Sequence, residues 1–72
     1  MTSIQQAREQ IIERIARASF EKLDRELSPS ELNGIDRTPS IMMLESLEIS
    51  ATSPMVNAAD FRKEIEQAER QS

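Results

Sequence analysis

Apolar residues recur at helical spacing through the first 27 residues of the chain, and no glycine or proline interrupts them. Spacings of three and four residues between apolar positions are typical of an α-helix with a buried side. The pattern therefore predicts a helix over about residues 3–27. Its apolar positions fall into two sets on different sides of that helix. The first set is Ile4, Ala7, Ile11, Ile15 and Ala18, and the second is Ile12, Ala16, Phe20, Leu23 and Leu27.

The length of this helix raises the question of what covers its two sides. Twenty-five helical residues span about 37 Å, whereas a compact chain of 72 residues has a radius of gyration of about 11 Å. A straight helix would overhang its own domain. We therefore expect a second copy of the chain, in a dimer, to cover an exposed stripe of Ile4, Ile11 and Ile15. A bend near Ala18 and Ser19 within one chain is the alternative.

Each of the three prolines follows a serine or threonine, which is a favourable way to begin a helix. The hydroxyl oxygen at the N-cap accepts a backbone N–H, and proline at the first helical position needs no hydrogen bond. Ser28, Pro29 and Glu31 also have the spacing of a capping box. We expect a short helix over about residues 29–33, ended by Gly34 in the left-handed conformation.

The run Ile41-Met42-Met43-Leu44 is where four large apolar residues stand side by side. Thr38-Pro39 before it predicts a helix start, and the apolar spacing continues the helix to about residue 47. Residues 50–54 are predicted to be a polar linker.

Methionine in this run suits either of two roles, because its flexible thioether fills irregular core gaps and also adapts to varied partners. We expect Ile41 and Leu44 to be buried and one methionine to face outward. Met42, Met43 and Leu47 are the predicted contacts for a protein partner.

A last helix is predicted over about residues 58–70. Asn57 is a suitable N-cap with Asp60 at the third helical position, and Val56 can pack on Phe61. The apolar positions form a narrow seam of the coiled-coil type, which packs against one other helix. They are Ala58, Phe61, Ile65 and Ala68.

These elements predict one all-α domain over residues 1–72. It has a long N-terminal helix, short middle helices and a C-terminal helix packed back as a helical hairpin or small bundle, and it is expected to be oligomeric.

Composition makes the chain small, acidic and poor in the groups that stabilise small domains. Its net charge is −4, it is 38% hydrophobic, and it has no cysteine, histidine, tryptophan or tyrosine. Small domains without disulfides or metals often depend on oligomerisation. Lysine and arginine are not concentrated in any segment, so we expect no nucleic-acid partner. There is no long apolar run, so we expect no membrane span and a cytoplasmic location.

The chemistry that enzymes use is poorly represented. Serine-type catalysis needs a base, usually histidine. Carboxylates two residues apart, as at Asp24/Glu26 and Glu64/Glu66, are typical of solvated helix faces. The ligand pattern of a calcium-binding EF-hand and the glycines of a phosphate loop are both absent. We therefore expect no catalytic residues, no metal and no cofactor.

One segment, Ser40-Ile41-Met42-Met43-Leu44-Glu45, resembles the Ser-Leu-x-x-x-Glu segment that begins the second helix of acyl carrier proteins. In that family the serine bears a phosphopantetheine arm, and the fold is a small acidic helical bundle. The resemblance implies Ser40 as a modifiable residue. Pro39 stands where the family has aspartate.

The sequence favours a non-catalytic module for protein–protein interaction, such as a regulator, antagonist, chaperone or complex subunit. We expect it to self-associate and to bind a protein partner through apolar helix faces. An acyl-carrier-like protein is the alternative.

Overall fold

Four helices make up the regular structure in a computed structural model that describes residues 3–70. They are α1 (Ile4–Leu23), α2 (Pro29–Asp36), α3 (Ile41–Thr52) and α4 (Ala58–Arg70). No strand occurs among residues 3–70, which confirms the all-α prediction for this part of the chain. The predicted domain also included residues 1–2 and 71–72, which lie outside the described range.

Helix α1 is shorter than predicted, because it ends at Leu23 instead of near residue 27. It begins with a capping box in which the side chains of Ser3 and Gln6 each accept the backbone N–H of the other. It ends where Asp24 adopts the left-handed conformation, with φ 56°. A short polar side chain tolerates this conformation better than most, and the chain turns away there.

The early end of α1 removes the reason to expect an overhang. Its 20 residues span about 30 Å, and the protein measures 36 Å along its longest axis with a radius of gyration of 11.4 Å. The helix is continuous through Ala18 and Ser19. The predicted overhang is therefore wrong, and the turn after Leu23 takes the place of a bend within the helix.

Helix α2 begins as predicted and ends later. Ser28 and Glu31 form the expected capping box, with Pro29 at the first helical position. Gly34 does not end the helix in the left-handed conformation, so that prediction is wrong; the helix continues to Asp36. A Cβ atom on Gly34 would lie 2.8 Å from the Cα atom of Glu69 in α4. The glycine therefore permits a close approach of two helices.

Helix α3 begins later and ends later than predicted. Its N-cap is Ser40, not Thr38. Thr38 is buried, and its hydroxyl donates to the carbonyl oxygen of Gly34 at 3.0 Å, so it completes α2. The helix continues to Thr52, whose hydroxyl donates to the carbonyl oxygen of Glu48 at 3.0 Å. The predicted linker over residues 50–54 is therefore mostly helical.

Helix α4 has the predicted bounds. The side-chain oxygen of Asn57 accepts the backbone N–H of Asp60 at 2.8 Å, as an N-cap does. Val56 packs against the core cluster that contains Phe61, which is consistent with the predicted contact between them. The signals for this helix are local, and the structure contains them as the sequence predicts.

The helices form a small bundle in which α1 packs mainly against α3, and α2 mainly against α4. Helices α1 and α3 run in the same direction. Two contacts establish this: Arg14 pairs with Glu48, and further along both segments Lys22 donates to the carbonyl oxygen of Ser53.

The core consists of two adjoining clusters of buried residues. The first is Ile11, Ile15, Ile35, Leu44, Leu47 and Ala68, and the second is Ala51, Phe61 and Ile65. Half-buried Leu27 packs against both clusters. All four helices contribute, so each amphipathic element has its apolar side covered at least in part by its own chain.

Candidate interaction surfaces

The outward side of α3 carries two exposed apolar residues. Met42 is 78% exposed and Ile49 is 66% exposed, and they lie seven residues, about two turns, apart on one face. Buried Leu44, Leu47 and Ala51 occupy the opposite side of the helix. We call Met42 and Ile49, with Glu45 and Ser46 between them, the α3 outer face. Amphipathic surface helices normally carry polar residues at such positions.

The predicted partner contacts are divided by the fold. Met42 and Met43 are exposed, whereas Leu47 is only 6% exposed and belongs to the core, so its predicted availability to a partner is wrong. Leu44 is fully buried and Ile41 half-buried, as predicted. Both methionines face outward, instead of one.

Ile49 is a surface residue that the sequence analysis missed. The predicted helix stopped at about residue 47, so Ile49 was not placed on a helical face. Its spacing of seven from Met42 is the signal that would have identified it once the helix was extended to Thr52. Met55, in the loop after α3, is a further exposed apolar residue, at 91% exposure.

The predicted oligomer stripe is also divided. Ile4 is 74% exposed, but Ile11 is 6% exposed and Ile15 is fully buried among core residues of the same chain. The expectation that all three are exposed is therefore wrong for Ile11 and Ile15. The 20-residue α1 fits within its own chain, and α3 covers both of these side chains.

A groove between the second half of α1 and the start of α2 forms another apolar surface. Phe20 is 51% exposed and Leu32 is 38% exposed. Together with Ala16 and Leu27 they line a cavity of about 470 Å³, which we call the Phe20 groove. Ala16, Phe20 and Leu27 belong to the second apolar set of the first predicted helix. The core covers that set less completely than the first.

An ion pair with two hydrogen bonds joins the loop after α1 to the first turn of α2. Two guanidinium nitrogens of Arg25 donate to the two carboxylate oxygens of Glu31, at 2.8 and 3.0 Å. The Ser28 backbone N–H donates to the same carboxylate at 2.8 Å. The hydrogen bonds from Arg25, more than those from Ser28, lower the pKa of Glu31 to about 2 against the opposing effect of burial. The folded turn therefore favours the ionised form of Glu31.

Two other ion pairs among residues 3–70 involve arginines of α1. Arg14 pairs with Glu48 at 2.8 Å and joins α1 to α3, and this hydrogen bond raises the pKa of Arg14. Arg17 pairs with Glu13 at 3.2 Å on an exposed surface. Pairs of this exposed kind contribute little to stability.

The acidic side chains of the described residues are dispersed. Residues 3–70 contain no group of three or more acidic side chains placed to hold a metal ion. A small cleft of about 120 Å³ beside Met43 is lined by Glu64 and Gln67 among others. This is below the ~300–1,000 Å³ typical of small-molecule sites, whereas the Phe20 groove, at about 470 Å³, is within that range.

Ser40, the residue implied by the resemblance to acyl carrier proteins, is the N-cap of α3 and is half-buried. Its side chain caps no backbone N–H within the described chain. It begins the third helix of residues 3–70, whereas the modified serine of acyl carrier proteins begins the second. We therefore do not propose Ser40 as a carrier site.

Comparison of the chain with protein-family models, curated proteins and solved structures found no match. Within residues 3–70, every helix is too short or too polar to cross a membrane.

Proposed function

We propose that this chain is a non-catalytic protein-interaction module that self-associates through the α3 outer face. The observation that supports the proposal best is the exposure of both Met42 and Ile49 on that face. Transfer of apolar surface from water is favourable by about 25 cal/mol per Å². A partner that covers both side chains removes this apolar surface from water.

A second copy of the chain is the proposed occupant because the α3 outer face can cover itself. In a symmetric dimer the same patch is used on both subunits. If the two α3 helices lie antiparallel, Met42 of each copy meets Ile49 of the other; if they lie parallel, like residues meet. In both arrangements each apolar side chain contacts an apolar side chain. The antiparallel arrangement is favoured, because Glu45 of one copy then meets the short Ser46 of the other, whereas in the parallel arrangement the two Glu45 carboxylates meet.

The proposed association is weak. Two exposed apolar side chains per copy give an interface at the low end of the range for specific complexes. We expect a dissociation constant on the order of 100 µM to 1 mM. A module of this strength suits a regulator or complex subunit that gains a further contact from a protein partner.

NMR spectra recorded over a dilution series test the location of the interface. We expect the backbone amide shifts that depend on concentration to cluster at Met42, Ile49 and their neighbours. The amides of Phe20 and Leu32 serve as an internal control and should not change. Shifts that cluster at Phe20 and Leu32, or a spectrum independent of concentration up to about 1 mM, would contradict the proposal.

A further inference from the structure

The Phe20 groove is open because α2 packs on α4 and makes few contacts with α1. Its floor is apolar: Phe20 and Leu32 are both exposed there, and Ala16 and Leu27 lie beside them. The volume of about 470 Å³ is enough to receive one large apolar side chain and part of the segment that carries it. An unfilled groove of this size leaves Phe20 in contact with water.

The charges around the groove are not balanced. Glu13 and Arg17 line one side and pair with each other. Glu21 and Glu26 also line the groove, and neither side chain forms an ion pair with any described residue. The groove therefore presents an apolar floor with two uncompensated carboxylates, which favours an occupant that carries positive charge.

The backbone of the described chain also restricts the occupant. Residues 3–70 contain no strand edge to which an extended peptide could add. A helical partner segment satisfies its own backbone N–H and C=O groups and needs no strand edge. The groove runs between two helices, a setting in which an amphipathic helix can insert its apolar side.

The outer face of the chain's own α3 does not suit this groove. Glu45 lies between Met42 and Ile49, and α3 contains no lysine or arginine. Docking that face in the Phe20 groove would bring Glu45 towards Glu21 and Glu26, and like charges in an interface oppose association. A second copy is therefore a poor occupant here, unlike at α3.

We propose that the Phe20 groove binds an amphipathic helix of another protein, with a large apolar residue on the groove floor and lysine or arginine on its flanks. This inference rests on the proposed role as an interaction module and names the class of its partner. It uses a surface separate from the α3 outer face, so the proposal of self-association and the proposal of helix binding can fail independently.

Two synthetic peptides test the proposal. The first is an amphipathic helix with a leucine and phenylalanine stripe flanked by lysines; the second has the same stripe flanked by glutamates. In NMR titrations of the full chain, we expect the lysine peptide to shift the amides of Phe20, Leu27 and Leu32. The glutamate peptide should bind at least ~10-fold more weakly, and added salt should reduce the difference.

Variants of the full chain separate the apolar and electrostatic contributions. Phe20→Ser should weaken binding of the lysine peptide at least ~10-fold, as expected for a central apolar contact. Glu21→Lys combined with Glu26→Lys changes only exposed charges and should reverse the preference between the two peptides. Met42→Glu is the matched control: it should reduce self-association and leave peptide binding unchanged.

Three results would overturn the proposal. One is equal binding of the two peptides, which would indicate apolar adhesion without charge selection. Another is a set of shifts centred on Met42 and Ile49, which would assign the partner to the α3 outer face. The third is the absence of binding by a wild-type chain whose circular dichroism shows it to be folded.

Discussion

At the scale of single residues, Gly34 sets how closely α2 and α4 approach. Gly34→Ala would place a Cβ atom 2.8 Å from the Cα and 2.9 Å from the backbone nitrogen of Glu69, so a helix must move. We expect the free energy of unfolding to fall by about 1–3 kcal/mol. This fall is the net effect, after a gain in helix propensity of up to about 1 kcal/mol.

Urea unfolding measures the effect, with exposed Ser30→Ala in the same helix as the control. Ser30→Ala should change stability by less than about 0.5 kcal/mol. A Gly34→Ala variant as stable as the wild type would show that the helices are not held at this distance.

Glu31 links stability to pH. Its pKa is lower in the folded chain, about 2, than its ordinary value of 4.5. A lowered pKa favours the ionised form, so the stabilisation is fully present above about pH 4.5 and is lost as the pH falls towards 2. We expect Glu31→Gln to lower the free energy of unfolding by about 2 kcal/mol at pH 7. The stabilities of variant and wild type should converge near pH 2.

Urea unfolding at pH 7, 4 and 2 tests this dependence. Glu66→Gln is a suitable control, because Glu66 is exposed and its side chain forms no ion pair with any described residue. A difference between Glu31→Gln and wild type that persists unchanged to pH 2 would contradict the assigned role of the carboxylate.

Capping residues were predictable where their partners are close in sequence. Ser28 with Glu31, and Asn57 with Asp60, follow local rules that the fold preserves. Gly34 was not predictable in the same way, because its role depends on Glu69, which is 35 residues away in sequence. A glycine that ends a helix and one that admits a neighbouring helix look alike without the tertiary structure.

At the scale of elements, the Lys22 side chain links the end of α1 to the segment that follows α3. Its ammonium group donates to the carbonyl oxygens of Ser53 and Val56. Lys22→Met keeps most of the aliphatic chain and removes both hydrogen bonds. We expect a loss of about 1–3 kcal/mol in the free energy of unfolding, because two partly buried carbonyls lose their charged donor.

Thermal or urea unfolding of Lys22→Met, compared with Lys63→Met, isolates this contact. Lys63 is exposed on α4 and forms no ion pair within residues 3–70, so its replacement should change stability by less than about 0.5 kcal/mol. Equal stability of the two variants would mean that Lys22 does not hold the segment after α3.

Element type was easier to predict than element length. The four helices occur where their periodicity or capping signals predicted them, but α1 ends early at Asp24 and α3 continues to Thr52. Aspartate tolerates the left-handed conformation, but nothing else in the local sequence marks Asp24 as the end of the helix. The extension of α3 depends on Ala51, which is buried against Phe61 and Ile65. The sequence alone predicts this residue as part of a polar linker.

At the scale of the whole molecule, the arrangement of helices was the least predictable feature. The two apolar sets of the first helix indicated two neighbours. They did not indicate that α3 would cover the first set and that Phe20 of the second set would stay exposed. The predicted oligomer stripe failed at Ile11 and Ile15 because a shorter α1 fits within its own chain. Exposure, which decides the candidate interaction surfaces, depends on this packing.

Self-association through the α3 outer face is the central claim, and sedimentation equilibrium tests it directly. For the wild type, we expect the apparent mass to rise from 8.2 kDa towards twice that value as the concentration approaches about 1 mM. Met42→Glu combined with Ile49→Glu should remain at 8.2 kDa. A control with two added carboxylates elsewhere, Gln10→Glu with Ser30→Glu, should associate like the wild type. A wild-type chain that stays monomeric over this range, or an α3 variant that still dimerises, would contradict the claim.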